Sequence, residues 1–149
     1  MIGLISDTHG LLREEAVALL QGSDVIIHAG DVGKLEILDA LRRLAPVVAV
    51  RGNIDHGAWA DALPASAFVE SGSLRIYVVH TIDDLDLDPV AAGFHVVVSG
   101  HSHQPGQFTR SGVLYVNPGS AGPRRFRLPI SMARLDARRR PLEAEFFTL

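Results

Sequence analysis

Side chains of three types, Asp, Asn and His, follow five separate apolar runs in this sequence. The run Val25-Ile26-Ile27 is typical of a buried strand, and it ends in a segment that delivers a carboxylate. Because strand ends meet at the carboxyl edge of an open α/β sheet, these side chains are expected to share one crevice. Asp, Asn and His form a metal-ligand set without sulfur. The five segments are Asp7-Thr8-His9, His28-Ala29-Gly30-Asp31, Gly52-Asn53-Ile54-Asp55-His56, His80 and Gly100-His101-Ser102-His103.

Each of these segments is weak evidence when it is taken alone. Asp, Thr and His are common where a strand enters a loop, and Gly52-Asn53 is an ordinary turn signal. His80 fits a half-buried histidine that bonds to the backbone. His101-Ser102-His103 is more specific, because alternation in an extended segment turns both imidazoles the same way, as two ligands require. The order of all five segments, each after an apolar run, is far more informative than any one of them.

The elements that must position these segments alternate between strand and helix in the first half of the chain. Leu11–Gly22 and Lys34–Leu44 have leucines and alanines at helical spacing. The first helix is expected to stop at its glycine, and Pro46 closes the second. This alternation of three strands with two helices predicts right-handed crossovers and a parallel sheet.

The second half is predicted to be rich in short strands, with tight turns at Ser111-Gly112 and Arg138–Pro141. One helix near Asp84–Ala92 is expected to interrupt them. So many strands predict an α/β fold of two β-sheets packed face to face with helices on the outside, a four-layer α/β/β/α sandwich in a single domain, 1–149. The predicted strands are Phe68-Val69, Leu74–Val79, Phe94–Val98, Gln107–Arg110, Val113–Val116, Ile130–Leu135 and Leu142–Phe147.

The ordered motifs resemble those of the calcineurin-like metallophosphoesterases, also called the binuclear metallophosphatase family. The motifs are Asp-x-His, Gly-Asp, Gly-Asn, an isolated His and Gly-His-x-His, and the similarity extends from Ile2 to Arg124. The segment Tyr115–Ser120, followed by Pro123-Arg124, is similar to the small bacterial and archaeal phosphodiesterase branch. A retromer scaffold subunit shares the fold of that branch.

The resemblance implies a two-metal centre in which Asp31 bridges both ions and Asn53 also lies near the phosphoryl oxygens of the substrate. A shared carboxylate offsets the repulsion between the cations, and neutral imidazoles leave enough charge to acidify a bridging water. The resulting hydroxide would attack phosphorus in line. Manganese is the expected metal, and Fe, Co, Ni or Zn also suit such ligands. The first metal is implied to bind Asp7, His9 and His103, and the second Asn53, His80 and His101.

Two departures from the family pattern bear on catalysis. Ile54 occupies the position of a histidine that is thought to protonate the leaving group, so activated diesters are expected to react better than alkyl monoesters. Whether His56 replaces that acid or is a solvated loop residue stays open. Thr81-Ile82 follows His80 where the family usually continues Gly-His. Asp55 is expected to accept hydrogen bonds that orient the metal ligands, without binding a metal itself. The alternative is an aspartate in a surface turn with no role in the site.

Composition sets the remaining expectations. The chain has no cysteine, so disulfides and thiolate sites are excluded. No apolar run could span a bilayer and no signal peptide is evident, so a cytoplasmic location is expected. Residues 110–149 carry 8 basic and 3 acidic side chains within a net charge of −3. Nucleic-acid binding by this arginine-rich part is not favoured, because no aromatic residues interleave to stack bases.

The function expected from these observations is hydrolysis of a small phosphorylated substrate, most simply a phosphodiester, at two divalent metal ions. The alternative is a scaffold of the same fold with weak or no catalysis that binds a protein partner. Ile54 supports the scaffold, whereas the complete set of seven ligand positions opposes it. The sequence does not identify the substrate. It also leaves the oligomeric state open, and a homo-oligomer is one of the possibilities.

Overall fold

The structure, a computed structural model, describes residues 1–149. It contains ten β-strands, three short α-helices and a single 3-10 turn. None of the helices is long and apolar enough to cross a bilayer. The helices are α1 (Glu14–Leu20), α2 (Leu35–Arg42) and α3 (Ala58–Asp61). The strands are β1 (Ile2–Ile5), β2 (Val25–His28), β3 (Val47–Ala49), β4 (Ser66–Ser71), β5 (Leu74–Val79), β6 (Val96–Val98), β7 (Gly106–Arg110), β8 (Val113–Asn117), β9 (Ser131–Leu135) and β10 (Ala144–Thr148).

The strands form two five-stranded sheets of mixed direction. The first has the order β10-β9-β1-β2-β3. In it β1, β2 and β3 are parallel, whereas β9 and β10 pair in antiparallel fashion. The second has the order β4-β5-β6-β8-β7, with β5, β6 and β8 parallel and an antiparallel strand at each edge. The predicted alternation of strands and helices in the first half is therefore confirmed, since α1 and α2 connect parallel neighbours.

The two sheets pack face to face over an apolar layer that both contribute. Leu4 of the first sheet and Val78 of the second belong to one buried cluster between them. The other face of the first sheet carries Ile26, which shares a second cluster with Leu20 of α1 and Leu38 of α2. Because residues alternate between the faces of a strand, each strand of the first sheet serves both layers. The predicted sandwich of two sheets packed face to face is confirmed, with α1 and α2 on the outer face of the first sheet.

An irregular segment covers the outer face of the second sheet. The prediction of a helix near Asp84–Ala92, in this segment, was wrong. Only a 3-10 turn at Ile82–Asp84 and tight turns occur there. Leu85 and Leu87 both pack against the sheet and alternate with exposed acidic residues, as an extended chain does. Pro89 also lacks the amide hydrogen that a helix interior requires. The alternating pattern therefore prevailed over helix formation.

The other predicted elements differ from the structure mainly at their ends. The predicted helix Leu11–Gly22 begins only at Glu14, because the Leu11 amide first closes a turn on the Thr8 carbonyl at 2.9 Å. Two glutamates in the first turn then favour the helix N-terminus. The later strands lie within two residues of their predicted bounds. These shifts move no candidate ligand.

Candidate metal centre

The seven predicted ligands lie on loops that follow the carboxyl ends of parallel strands from both sheets. Their side chains form two groups, and in each group three candidate ligand atoms lie within 4.8 Å of one another. The structure therefore brings the predicted ligands together, and their binding of a metal stays a prediction. The first group contains Asp7, His9 and His103, the second contains Asp31, His80 and His101, and Asn53 borders the second.

Asp7 uses one carboxylate oxygen to hold two loops and presents the other to the first group. Its Oδ2 accepts hydrogen bonds from the Ser6 hydroxyl at 2.6 Å and the His101 amide at 3.1 Å. Its Oδ1 has no hydrogen-bond partner and lies 3.4 Å from His103 Nε2 and 3.9 Å from His9 Nε2. Both ring nitrogens are also buried and without a partner. Three unpaired polar atoms facing one another are costly unless something binds between them.

Asp31 belongs to the second group and also faces the first. Its Oδ2 is 3.6 Å from His9 Nε2 of the first group and 3.4 Å from His80 Nε2 of the second. Its Oδ1 accepts a hydrogen bond from the Ile54 amide at 3.1 Å. The residue is only 3% exposed. One oxygen of a buried carboxylate thus faces a histidine of each group.

Hydrogen bonds orient the second group. His80 Nδ1 lies 2.7 Å from the Ala29 carbonyl and donates to it, which leaves Nε2 as the nitrogen that faces the site. One terminal atom of the Asn53 side-chain amide lies 3.0 Å from this Nε2 and 3.3 Å from His101 Nδ1. Without a cation, hydrogen bonding favours the Asn53 nitrogen at this position, where it donates to both imidazoles and to Asp31. With the Asn53 oxygen turned inward instead, only a bound cation would satisfy the oxygen and the two ring nitrogens together.

Five of the seven predicted ligands have left-handed backbone conformations. Non-glycine residues seldom adopt these angles, which cost roughly 1–2 kcal/mol each. Strain of this kind clusters at active sites and ligand-binding loops. The φ angles are 55° at Asp7, 47° at His9, 55° at Asp31, 71° at His101 and 61° at His103.

Two glycines allow the loops to approach the carboxylates. A Cβ atom on Gly52 would overlap the backbone nitrogen and the carboxylate of Asp31. A Cβ atom on Gly100 would overlap the Ser6 hydroxyl and crowd Asp7 Oδ2. The Gly-Asn and Gly-His motifs therefore require glycine, because the backbone at this position packs directly against Asp31 or Asp7 and leaves no room for a side chain.

The carboxylate of Asp31 and the imidazole of His80 shift each other's pKa. Burial by itself would raise the pKa of Asp31, but hydrogen bonds from His80 and the Ile54 amide lower it overall. Burial works against the charged form of His80, yet its hydrogen bonds to Asp31 and the Ala29 carbonyl raise its pKa. A proton and a metal cation therefore compete for the His80 imidazole, and metal binding should release the proton.

His103 is shifted in the opposite direction. Burial lowers the pKa of its imidazole, and the positive charge of Arg125 acts in the same direction, against the opposing effect of Asp7. A neutral imidazole is the form that binds a metal.

His28 has a role that the sequence alone did not reveal. It is fully buried, accepts a hydrogen bond from the Gly30 amide at 3.1 Å and lies 3.0 Å from the Thr8 hydroxyl oxygen. The Thr8 hydroxyl donates to the Val32 carbonyl at 2.8 Å. This network joins the loop of Asp7 to the loop of Asp31. The available signal was a polar residue at the end of an apolar strand.

Asp55 is buried, so the alternative of a surface aspartate is wrong. Its carboxylate accepts hydrogen bonds from the backbone amides of Val32, Gly33 and Gly52 at 3.2, 2.9 and 2.8 Å. It therefore joins two loops of the site through their backbone and makes no hydrogen bond to a candidate ligand side chain. His56 is exposed, and no hydrogen bond or ion pair connects it to the site.

A cavity of about 330 Å³ opens beside the second group. Most of its lining residues are polar, and some of them are charged. An anionic group that entered would meet the candidate ligands together with side chains of both signs. The lining residues include Asn53, His80, His101, Arg51, Asp84 and Asp86.

The residues of the site fit the two divalent cations that the sequence resemblance implied. The donors are carboxylate, amide and imidazole groups, which suit first-row divalent metals. The unpaired atoms Asp7 Oδ1, His9 Nε2 and His103 Nε2 face one another, as one cation would require. Asp31 supplies an oxygen directed at both groups.

Comparison with known proteins gives a family for this arrangement. Residues 1–140 match the calcineurin-like phosphoesterase superfamily domain. A probable metallophosphoesterase of Methanocaldococcus jannaschii is 38% identical over 135 residues, a match that covers 80% of this chain and 67% of that protein.

Solved structures share the fold over nearly the whole chain. A protein described as a novel archaeal phosphodiesterase superposes with a TM-score of 0.83 at 23% identity, covering 99% of each chain. Vps29 of Entamoeba histolytica in complex with zinc superposes with a TM-score of 0.75 at 19% identity, covering 99% of this chain and 98% of that one. At these identities the similarity is one of fold.

Proposed function

Because this chain belongs to the calcineurin-like phosphoesterase superfamily, we propose that it is a phosphodiesterase that works with two divalent metal ions. The family expected from the sequence motifs is confirmed by the match over residues 1–140. The diester preference is supported by Ile54, and by the archaeal phosphodiesterase that has this fold. The substrate would be a small phosphodiester, and manganese is the metal we expect.

The observation that carries this proposal is the position of Asp31. Its Oδ2 lies within 3.6 Å of a histidine nitrogen from each of the two ligand groups. A carboxylate shared in this way offsets the repulsion between two cations and holds them at a short separation. A site for a single cation would not require a buried carboxylate between two histidine groups.

Each side of the centre would be held by residues of this chain. When bound, the two metals would supply Lewis acidity to the phosphoryl oxygens and lower the pKa of water at the site. The Asn53 amide lies at the exposed rim, where its oxygen would bind a metal beside the histidines while its nitrogen donates to a phosphoryl oxygen. We assign Asp7, His9 and His103 to one metal, Asn53, His80 and His101 to the other, and Asp31 to both.

Ile54 limits the kind of ester that would be hydrolysed. Its amide fixes Asp31, but its side chain, which is 37% exposed, has no proton to give to a leaving group. General acid catalysis typically contributes about 10²- to 10⁴-fold. Diesters with a good leaving group would therefore react well, and alkyl esters slowly.

The experiment that tests this function is hydrolysis of bis-p-nitrophenyl phosphate by metal-stripped protein before and after addition of Mn²⁺. We expect turnover only with metal, and at least about a 100-fold loss in Asp31→Asn, which weakens the charge shared by both sites. Bound metal, measured by elemental analysis, should fall at both sites in that variant.

Asp39→Asn is the matched control, since Asp39 is a half-exposed carboxylate that pairs only with Arg42 on the surface of α2. It should retain full turnover and full metal content. Normal turnover in Asp31→Asn would contradict the shared-carboxylate assignment.

The second candidate function is a scaffold that binds a protein partner. It is favoured by the missing proton donor at Ile54 and by two exposed isoleucines near the centre, Ile54 at 37% and Ile82 at 38%. Folded protein that hydrolyses no diester with any divalent metal would favour this function.

A further inference from the structure

A second cavity, of about 360 Å³, borders the loop that carries His101 and His103. Ser102, the residue between these two predicted ligands, lines the cavity, as does Asn117 at the end of β8. The Asn117 side chain donates to the Gly100 carbonyl and to the Ser102 hydroxyl, each at 3.0 Å. The rim of the cavity is thus hydrogen-bonded directly to the metal-centre loop.

One wall of this cavity is aromatic. The rings of Phe108 and Tyr115 stack with centroids 4.8 Å apart and an interplanar angle of 4°. Tyr115 is buried, whereas Phe108 is 46% exposed and lies on the edge strand β7. The Arg110 guanidinium packs 5.3 Å from the Phe108 ring without lining the cavity, which helps to fix the ring. A large aromatic side chain held in place but half exposed offers a preformed stacking surface.

The chemistry of the lining distinguishes this cavity from the one beside His80. None of its eleven lining residues is charged, whereas Arg51, Asp84 and Asp86 line the other cavity. Ile82, only two residues after His80, adds a further apolar contact here. The two cavities thus border the same metal-centre loops but suit groups of different polarity.

We propose that the uncharged cavity binds a planar aromatic or heteroaromatic substituent of the phosphodiester while the phosphoryl group lies at the metal centre. This inference rests on the proposed function and adds the substrate class. The volume is near the lower limit of ligand cavities, which run from about 300 to 1,000 Å³, so it suits one ring system. A charged substituent would lose hydration there without gaining a partner.

Two diesters with the same leaving group test the proposal, bis-p-nitrophenyl phosphate and methyl p-nitrophenyl phosphate, each with the Mn²⁺-loaded protein. Phe108→Ala should raise KM for the bis-aryl diester about five- to tenfold, the lower part of the range for loss of a stacking residue. Phe108→Tyr keeps the ring and should restore the KM. If the cavity holds the substituent that stays on phosphorus, Phe108→Ala should raise KM only for the bis-aryl diester. If the cavity holds the p-nitrophenyl leaving group, the variant should raise KM for both diesters.

Phe68→Ala is the matched control. Phe68 is also an exposed phenylalanine of the second sheet, 60% exposed, but it lies on β4 at the opposite edge. Its removal should leave KM unchanged for both diesters. Ile82→Ala is a second variant of the cavity, and it should raise KM in the same direction as Phe108→Ala. Circular dichroism of every variant verifies that it is folded.

The outcomes separate this inference from the proposed function. Wild-type protein that hydrolyses the diesters, with Phe108→Ala unchanged in KM for both, would overturn the aromatic subsite and leave the phosphodiesterase intact. An equal rise of KM in Phe68→Ala would also overturn it, because the effect would then not belong to the cavity. Wild-type protein inactive on both diesters would overturn both.

Discussion

Mild acid is expected to destabilise the fold through one buried imidazole, that of His28. The Gly30 amide donates to its Nδ1 at 3.1 Å. The Thr8 hydroxyl gives its proton to the Val32 carbonyl, so its oxygen accepts from His28 Nε2 at 3.0 Å. The neutral ring therefore satisfies both partners. A proton added at Nδ1 would oppose the Gly30 amide and place a charge in a fully buried site.

The size of the effect follows from the pKa of this group. Burial lowers the pKa of His28 from its ordinary value of 6.5 to about 4, against the attraction of Asp7 and Asp55. Between these two values the unfolded chain binds a proton that the folded chain does not, so stability rises with pH across this interval. The stabilisation is present above the unfolded value and is lost as the pH falls toward 4. Since each tenfold change in proton affinity corresponds to about 1.4 kcal/mol, the full contribution is about 3 kcal/mol.

His28→Asn is the variant that isolates this effect, because its side-chain oxygen can still accept from the Gly30 amide but does not titrate. Urea unfolding of metal-free protein, followed by circular dichroism and by the fluorescence of Trp59, the only tryptophan, gives the unfolding free energies. From about pH 7 to about pH 4.5, the wild type should lose about 2.5 kcal/mol relative to the variant. The other histidines are common to both proteins and cancel. A difference independent of pH would refute the reasoning.

Two further predictions concern loops of the site. Gly52→Ala would place a Cβ against Asp31, so we expect the unfolding free energy to fall by more than about 2 kcal/mol, whereas Gly106→Ala, in open space, should change it little. Equal stability in urea for both variants would contradict the close approach. Ile54→His restores a proton donor at the rim, and it should speed hydrolysis of an alkyl diester at least about tenfold relative to bis-p-nitrophenyl phosphate. An unchanged ratio of the two rates would mean that this position cannot deliver a proton to the leaving group.

Local sequence patterns predicted most of the fold because each depends on nearby residues. Apolar runs and turn residues located the strands to within two residues, and motif order identified the family. The helix near Asp84–Ala92 failed for a local reason as well, since Leu85 and Leu87 alternate with acids and Pro89 interrupts the segment. His28 was missed because nothing in the chain beside it reveals that Thr8 lies across the strand end.

The sequence by itself determined which side chains end the parallel strands, and therefore the oxygen and nitrogen chemistry of the centre. Whether those ends converge depends on how two sheets pack, and only the tertiary structure places Asp31 Oδ2 between His9 and His80. The uncharged cavity is likewise a tertiary feature, because Ile82 and Phe108 come from separate segments that meet over the second sheet. Residue type is a property of the chain, whereas distance between residues far apart in the chain is a property of packing.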